Sequence, residues 1–223
     1  VSAGSCVVAD QAAYWMGQNG FFVYDGRVQP LRSAVGDFIF ENLNVSQRSK
    51  VVGVLNSQFS EVVWFYPSTG STENDSYVSY NYMEGHWQVG TISRTAGFDT
   101  GTFVYPNYVD ATGIIYEHEA GYAYDSDTEV FAESGPIQLG NGDRMMVAKS
   151  LIPDEKTQGD VTATFKTRFF PNGTESSFGP FDMANPTSVR FQGRQVQMRI
   201  TGNTTTSWRV GTMRLDVVEG GRR

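Results

Sequence analysis

The sequence is poor in cysteine and histidine, the residues that most often build disulfides and zinc sites. It has one cysteine, Cys6, and two histidines, His86 and His118, in 223 residues. A single cysteine cannot form a disulfide within the chain, and structural zinc sites are built from about four Cys and His ligands. We therefore expect no intrachain disulfide, no metal centre and no cofactor.

The chain also lacks long apolar segments and an excess of basic residues. No apolar run approaches the length of about 18 residues that spans a membrane, and the first residues do not form a signal peptide. There are 17 Lys and Arg against 24 Asp and Glu, for a net charge of −7. This balance argues against tight phosphate binding. It is compatible with DNA passing nearby, because like charges repel.

What the sequence does have is aromatic residues and glycine: 15 Phe, 11 Tyr and 24 Gly. This composition is typical of short strands joined by frequent turns. The length is sufficient for a real hydrophobic core. The chain begins with Val1 instead of Met, and we expect it to be a piece of a longer protein. The sequence thus predicts an all-β fold of antiparallel sheets.

Residues 1–129 are predicted to form β-propeller-like blades. The predicted strands cover residues 13–16, 21–24, 28–31, 51–55, 61–66, 77–83, 87–91, 101–105 and 114–119. A helical connection is expected at 35–50, with Asn44 as a cap. Small sheets recurring about every forty residues are typical of propeller blades. An immunoglobulin-like or jelly-roll sandwich would use similar strands.

Residues 130–223 are predicted to form a C-terminal β-rich region that completes or flanks the propeller. A turn is expected at 140–143, followed by strands at 145–149, 161–169 and 208–218. The apolar positions are odd-numbered up to Phe191 and even-numbered from Val196 to Ile200. This change of face predicts a β-bulge near Gly193.

Two short segments contain residue types that are able to bind metals. Glu117, His118 and Glu119 offer carboxylate and imidazole groups, but on a strand His118 faces away from the two glutamates. We therefore expect an ordinary solvated strand. The segment from Asp110 to Gly113 is similar to calcium-binding or propeller turn loops, with Tyr116 nearby. It lacks the alternating aspartates of a calcium loop, and we expect a plain turn.

Acidic pairs for glycoside hydrolysis need not be close in sequence. The conceivable carboxylates are Asp37, Glu41, Glu61, Asp75, Glu84 and Asp99. Among 24 acidic residues a pair means little, and no nucleophile elbow, phosphate loop or dinucleotide motif is present. We expect no catalytic residues and no enzymatic activity.

The aromatic residues allow more than one role. They include Trp15, Trp64, Trp87 and Trp208, and the tyrosines Tyr77, Tyr80 and Tyr82. Aromatic rings are able to line a sugar-binding face, but they also fill cores and stabilise cross-strand pairs. We expect core packing for the tryptophans, whereas exposed tyrosines could equally anchor a subunit interface.

Four segments in this order resemble one protein family. They are AYWMGQNGFFVYDGRVQPL (13–31), VVGVLNSQFSEVVWFYPS (51–68), ENDSYVSYNYMEGHWQVGT (73–91) and WRVGTMRLDVVEGGRR (208–223). From about residue 13 to the last residue, the chain resembles the propeller portion and C-terminus of tail nozzle proteins of short-tailed bacteriophages.

The resemblance implies a structural protein of the virion tail. Members of that family assemble, typically as six copies, into a tube below the head-to-tail adaptor, with the DNA channel on its axis. They also help to hold tail fibres or spikes, and no active site is carried over. Two alternatives stay open: a receptor- or glycan-binding module of a tail, and a propeller-type glycan-degrading enzyme.

Overall fold

A computed structural model describes residues 1–122, 129–138, 144–154, 156–183, 185–202 and 206–221. Within these ranges the chain is built from antiparallel β-sheets with little helix, which confirms the predicted all-β class. None of the helices in these ranges is long and apolar enough to cross a membrane. The chain separates into two compact units, Val1–Ala120 and Gly121–Arg223. The sequence places this division later, between residues 129 and 130.

The first unit contains three sheets. Its strands are β1 (Val7–Ala9), β2 (Ala12–Met16), β3 (Phe21–Tyr24), β4 (Val28–Leu31), β5 (Val52–Asn56), β6 (Glu61–Tyr66), β7 (Ser76–Asn81), β8 (Trp87–Thr91), β9 (Ala96–Phe98), β10 (Asn107–Val109) and β11 (Ile115–Glu117). The first sheet has the order β1-β2-β3-β4, the second β5-β6-β7-β8 and the third β11-β10-β9. The two four-stranded sheets are up-and-down meanders, the topology of a propeller blade.

The third sheet does not use the strand predicted at residues 101–105, and that prediction is wrong. The edge strand is Ala96–Phe98, and residues 101–105 form bends. Gly97 explains this choice, because a Cβ at this position would lie 2.4 Å from Cδ1 of Tyr108 on the paired strand. Only glycine leaves room for the tyrosine ring there. Phe103 instead packs its ring on Phe98, with the centroids 5.5 Å apart.

The second sheet is buried on both faces, and every residue of β6 after Glu61 is buried. On one face Trp64 and Val78 join Met16 and Phe21 of the first sheet in a common core. On the other face Phe65 packs with Tyr108 of the third sheet. The three sheets are therefore stacked in chain order, with the second in the middle.

The first strands of the three sheets lie side by side, β1 against β5 and β5 against β9. Their closeness depends on Gly53, because a Cβ there would lie 2.5 Å from Cγ2 of Val7 and 2.8 Å from the carbonyl oxygen of Ser5. Adjacent innermost strands are also a feature of radially arranged propeller sheets. Closure of these sheets into a full propeller stays a prediction.

The connection between the first and second sheets is helical, as predicted. It consists of α1 (Gly36–Asn42) and a 3₁₀ helix (Val45–Lys50); another 3₁₀ turn (Ala3–Ser5) precedes β1. The side chain of Asn44 accepts a hydrogen bond from the backbone N–H of Ser46 at 3.1 Å. Asn44 therefore caps the 3₁₀ helix, because this bond satisfies one of its free N–H groups.

The second unit contains two sheets around one core. Its strands are β12 (Phe131–Glu133), β13 (Ile137–Gln138), β14 (Met146–Pro153), β15 (Thr162–Arg168), β16 (Ser176–Asp182), β17 (Thr187–Gly193), β18 (Gln195–Thr201) and β19 (Met213–Glu219). One sheet has the order β12-β18-β15-β16, with β13 also paired to β18, and the other has the order β17-β14-β19. Phe165 and Phe191, from different sheets, stack 4.6 Å apart in the shared core.

The predicted bulge at Gly193 is wrong. The chain turns at Arg194, and β17 and β18 belong to different sheets. The change of apolar face therefore marks a crossing between sheets, because each strand turns its own set of side chains toward the same core.

The last predicted strand also starts too early, since Trp208 packs against the core outside any strand and β19 begins at Met213. The turn predicted at 140–143 lies outside the described residues.

Candidate functional site

Polar side chains converge at one end of the second and third sheets. Asn56 ends β5 and Glu61 begins β6, and the two are direct cross-strand partners. Such partners lie on the same face of a sheet, about 5 Å apart at Cβ. The side-chain Nδ2 of Asn56 donates to Oε1 of Glu119 at 3.3 Å. Tyr108 lies on the facing sheet, and we call these four residues the Glu61–Glu119 cluster.

The two carboxylates of this cluster interact electrostatically. Burial raises the pKa of Glu61, the negative charge of Glu119 raises it further, and His86 lowers it. Burial also raises the pKa of Glu119, against the hydrogen bond from Asn56. Glu61 is half-buried, whereas Glu119 keeps access to solvent. The cluster is thus a small acidic site that is open on one side.

Two polar atoms of the cluster lack a protein partner among the described residues: the hydroxyl of Tyr108 and Oδ1 of Asn56. Tyr108 is 3% exposed and Asn56 4%. Burial raises the pKa of Tyr108, and the charges of Glu119, Asp99 and Glu61 add to the shift. Buried polar groups in folded proteins are nearly always hydrogen-bonded, so these two oxygens are able to accept a water, a further hydrogen bond or a cation.

His118 packs against Tyr108 of this cluster. Its Nε2 accepts a hydrogen bond from Nε of Arg94 at 2.8 Å, and its ring lies 4.2 Å from that of Tyr108. Burial, and then the charge of Arg94, lower the pKa of His118 to about 4. The imidazole is therefore neutral near pH 7 and serves to fix the tyrosine ring.

The three residues of the 117–119 segment lie in different environments. The strand ends at Glu117, which is exposed, so the alternation expected through Glu119 does not continue. Glu119 adopts a φ of +61° and reaches Asn56. The sequence singles out Glu61 and Glu119 without connecting them, and it gives no sign of Asn56 or Tyr108.

The Asp110 segment is the turn that the sequence predicts. Oδ1 of Asp110 accepts from the backbone N–H groups of Thr112 and Ile114 at 2.8 and 3.0 Å. Oδ2 accepts from the hydroxyl of Tyr116 at 3.1 Å. A hydrogen bond from the Thr112 side chain is the main reason that the pKa of Asp110 falls to about 2. Both oxygens are used to hold the turn.

The remaining conceivable carboxylates do not form a pair near Glu61. Asp75 binds Ser68, with Oδ2 accepting from the Ser68 hydroxyl at 2.7 Å. Asp99 accepts from the backbone N–H of Ser57 at 3.1 Å. Glu84 lies 3.2 Å from Nδ1 of His86 at the surface. These three residues therefore have local structural contacts.

Asp37 and Glu41 lie elsewhere, on successive turns of α1. They line a groove of about 480 Å³ between the helix and the first sheet, together with Phe40 and Leu31. A helical spacing of four residues places their Cβ atoms about 6 Å apart. This groove is the second candidate site.

The tryptophans differ in their roles. Trp64 is completely buried, and Trp87 and Trp208 pack against the two main cores. These three confirm the prediction of core packing. Trp15 instead stacks on Phe22, with ring centroids 5.7 Å apart, on the face of the first sheet that points away from the second.

That outer face of the first sheet is apolar. Val8, Ala13, Tyr24 and Val28 form one cross-strand row over all four strands. Val8 is 68% exposed and Val28 63%. Isolated exposed apolar residues are common, but a contiguous apolar face marks an interaction surface.

The third sheet has a comparable outer face, opposite the side that carries Tyr108. Ala96, Val109 and Ile115 form a cross-strand row there, and Phe98 follows on β9. Ile115 is 64% exposed and Phe98 46%. The next row of this face pairs Phe98 with the polar residues Asn107 and Glu117, so its apolar part is smaller than that of the first sheet.

Comparison with known proteins does not assign a family to this chain. Neither a protein-family model nor a curated protein sequence matches it. Within the described ranges, no three His, Cys, Asp or Glu side chains are placed to hold a metal ion together.

Proposed function

We propose that this chain is a structural component of a bacteriophage tail and forms an oligomeric nozzle around the DNA exit channel. The observation that carries the proposal is the stack of three antiparallel sheets with their first strands side by side. The apolar outer face of the first sheet supports the same function, because such a face becomes buried when further β-structure continues the stack. The resemblance of four ordered segments to tail nozzle proteins supports it from the sequence.

The architecture suits a part that bears mechanical load. Buried aromatic residues fill both faces of the second sheet, and closely packed interiors have low compressibility. Extending the stack around an axis would also protect strand edges from unwanted pairing. In this proposal the chain acts through its shape, without bond-making or bond-breaking.

The charge of the chain fits passage of DNA. The net charge of −7 repels the phosphate backbone, so that DNA moves past without being held. The proposed partners are other copies of the chain, with six in the ring, the head-to-tail adaptor protein, and tail fibres or spikes. The proposed location is the tail of the virion.

The oligomeric state tests this function. Native mass spectrometry of the purified protein, over a range of concentrations, should show a closed oligomer with six copies as the main assembled species. A DNA-binding assay on the same sample should show no retention at physiological salt. A protein that stays monomeric at all concentrations, or that binds duplex DNA tightly, would count against the nozzle.

The groove beside α1 favours glycan binding as a second candidate function. It combines two carboxylates, Asp37 and Glu41, with the aromatic ring of Phe40, and aromatic rings stack well on sugar faces. A glycan array with the wild-type protein and with Phe40→Ala tests it. Specific binding that the substitution removes would support a receptor-binding module. A polysaccharide-degradation assay with Asp37→Asn and Glu41→Gln tests hydrolysis.

A further inference from the structure

We propose that the Glu61–Glu119 cluster binds a calcium ion through the carboxylates of Glu61 and Glu119, Oδ1 of Asn56 and the hydroxyl of Tyr108. This site is independent of the nozzle assignment, since it lies within one chain. Calcium would join the second sheet to the third at the end where their polar residues meet.

The backbone brings the oxygen atoms together. Pairing of Asn56 with Glu61 across the β5–β6 hairpin fixes two of the ligands on the face turned toward the third sheet. The third ligand comes from Glu119, which the hydrogen bond from Asn56 holds at 3.3 Å. Tyr108 contributes from β10, its ring 5.6 Å from that of Phe65. Three separate segments therefore supply the site.

The unsatisfied oxygens point to a ligand. Tyr108 and Asn56 are both more than nine-tenths buried, and each has an oxygen without a hydrogen-bond partner among the described residues. The Tyr108 hydroxyl lies in the field of nearby carboxylates without bonding to one. A cation that binds these oxygens and the carboxylates together would satisfy all of them.

Calcium is the cation that matches this ligand set. It takes six to eight oxygen ligands from carboxylates, amide carbonyls and water, with flexible geometry. Two carboxylates balance its charge, and they cease to repel each other once it is bound. Because Glu119 is accessible to solvent, water molecules have room to complete the coordination. Magnesium demands a smaller, near-octahedral site, which residues from three segments suit less well.

The test is a thermal melt of the whole chain with 5 mM CaCl₂, with 5 mM MgCl₂, or with KCl at equal ionic strength. For a dissociation constant of about 0.1 mM, this calcium concentration is about fifty times the dissociation constant and stabilises by roughly 2.3 kcal/mol. We therefore expect calcium to raise the melting temperature by about 5–9 °C. Magnesium and KCl should have little effect.

Variants assign the effect to the cluster. Glu119→Gln keeps the acceptor for Asn56 but removes the charge, and it should abolish the calcium shift. Glu117→Gln is the matched control, because Glu117 is exposed and only two residues away; its calcium shift should equal that of the wild type. Asn56→Asp adds a carboxylate and should strengthen binding.

Terbium luminescence gives a second readout that does not depend on stability. Terbium ions bind at calcium sites, and a nearby tyrosine ring sensitises their emission. Emission should fall several-fold in Tyr108→Phe, because this variant lacks the nearby phenol ring that sensitises the ion, and it should be lost in Glu119→Gln. The proposal is overturned if calcium acts no differently from KCl, or if Glu119→Gln keeps the full response. Either result would assign the unsatisfied oxygens to ordered water.

Discussion

The indole Nε1 of Trp64 donates a hydrogen bond to the carbonyl oxygen of Ser5 at 2.7 Å. Trp64 is fully buried in the second sheet, and Ser5 immediately precedes the first. Residues 59 positions apart are thereby joined at the contact between two sheets.

Replacing Trp64 with Phe should weaken the first unit. The substitution removes the indole N–H and leaves the buried carbonyl of Ser5 without its partner, which costs about 1–3 kcal/mol. Urea unfolding followed by tyrosine fluorescence measures the change. Trp15→Phe is the control, because Trp15 lies on the outer face, and its effect should be within about 0.5 kcal/mol. Equal effects of the two substitutions would contradict the assigned contact.

Gly53→Ala should separate β1 from β5. The new methyl group would lie 2.5 Å from Val7 and 2.8 Å from the backbone of Ser5, and such overpacking costs about 1–3 kcal/mol. Gly101→Ala is the matched control, because nothing lies within 4 Å of the added Cβ. Differential scanning calorimetry should show a lower melting temperature for the first variant alone. Unchanged stability of Gly53→Ala would show that the first strands are not in close contact.

An ionic network on the second unit should give a pH-dependent stability. Oε2 of Glu133 lies 2.9 Å from Nζ of Lys166 and 3.0 Å from Nη1 of Arg199. The hydrogen bond from Lys166 is the largest cause of the lowered pKa of Glu133; burial opposes it, and Arg199 adds to it. Because the folded-state pKa is lowered, the stabilisation is complete above the unfolded pKa of about 4.3. It is lost as the pH falls through the folded pKa.

Glu133→Gln should therefore destabilise the protein by about 0.5–1 kcal/mol at pH 7, a value kept small because the pair is partly solvent-exposed. The difference from the wild type should shrink as the pH falls below the unfolded pKa of about 4.3, and it should also shrink at high salt. Chemical denaturation at several pH values measures it, with the exposed Glu175→Gln as the control. A stability difference between wild type and variant that grows as the pH falls would contradict the lowered pKa of Glu133.

A charge on the outer face of the first sheet should block assembly without unfolding the chain. Val28 is 63% exposed, so Val28→Asp should change stability by less than about 0.5 kcal/mol. A buried carboxylate at an interface is costly. The protein concentration at which the oligomer dissociates should therefore rise at least tenfold. Light scattering after size-exclusion chromatography measures this. Val45→Asp, at 60% exposure on the 3₁₀ helix, should assemble normally. Assembly of both variants would place the interface elsewhere.

Local patterns predict much of the first unit. The strands at residues 21–24, 28–31 and 61–66 and the capping role of Asn44 all follow from neighbouring residues. These features depend on turn chemistry and on the alternation of side chains, both of which are encoded locally.

The errors arise where a distant residue decides the structure. The strand at Ala96–Phe98 forms because Gly97 accommodates the ring of Tyr108, and no local signal shows that contact. The shift of apolar positions after Phe191 has two local explanations, a bulge and a turn between sheets, which the sequence does not distinguish. The Glu61–Glu119 cluster joins two acids that are more than fifty positions apart, so the sequence shows them only as separate acids and gives no sign of Asn56 or Tyr108.

In the proposed function, copies of this chain enclose an axial channel in a tail. Cryo-electron microscopy of the assembled particle tests it most directly. We predict a ring of six copies around an open channel, with the stacked β-sheets of the first unit recognisable in the map and their outer faces covered. Isolated single copies with uncovered outer faces and a sugar bound in the groove beside α1 would contradict the account.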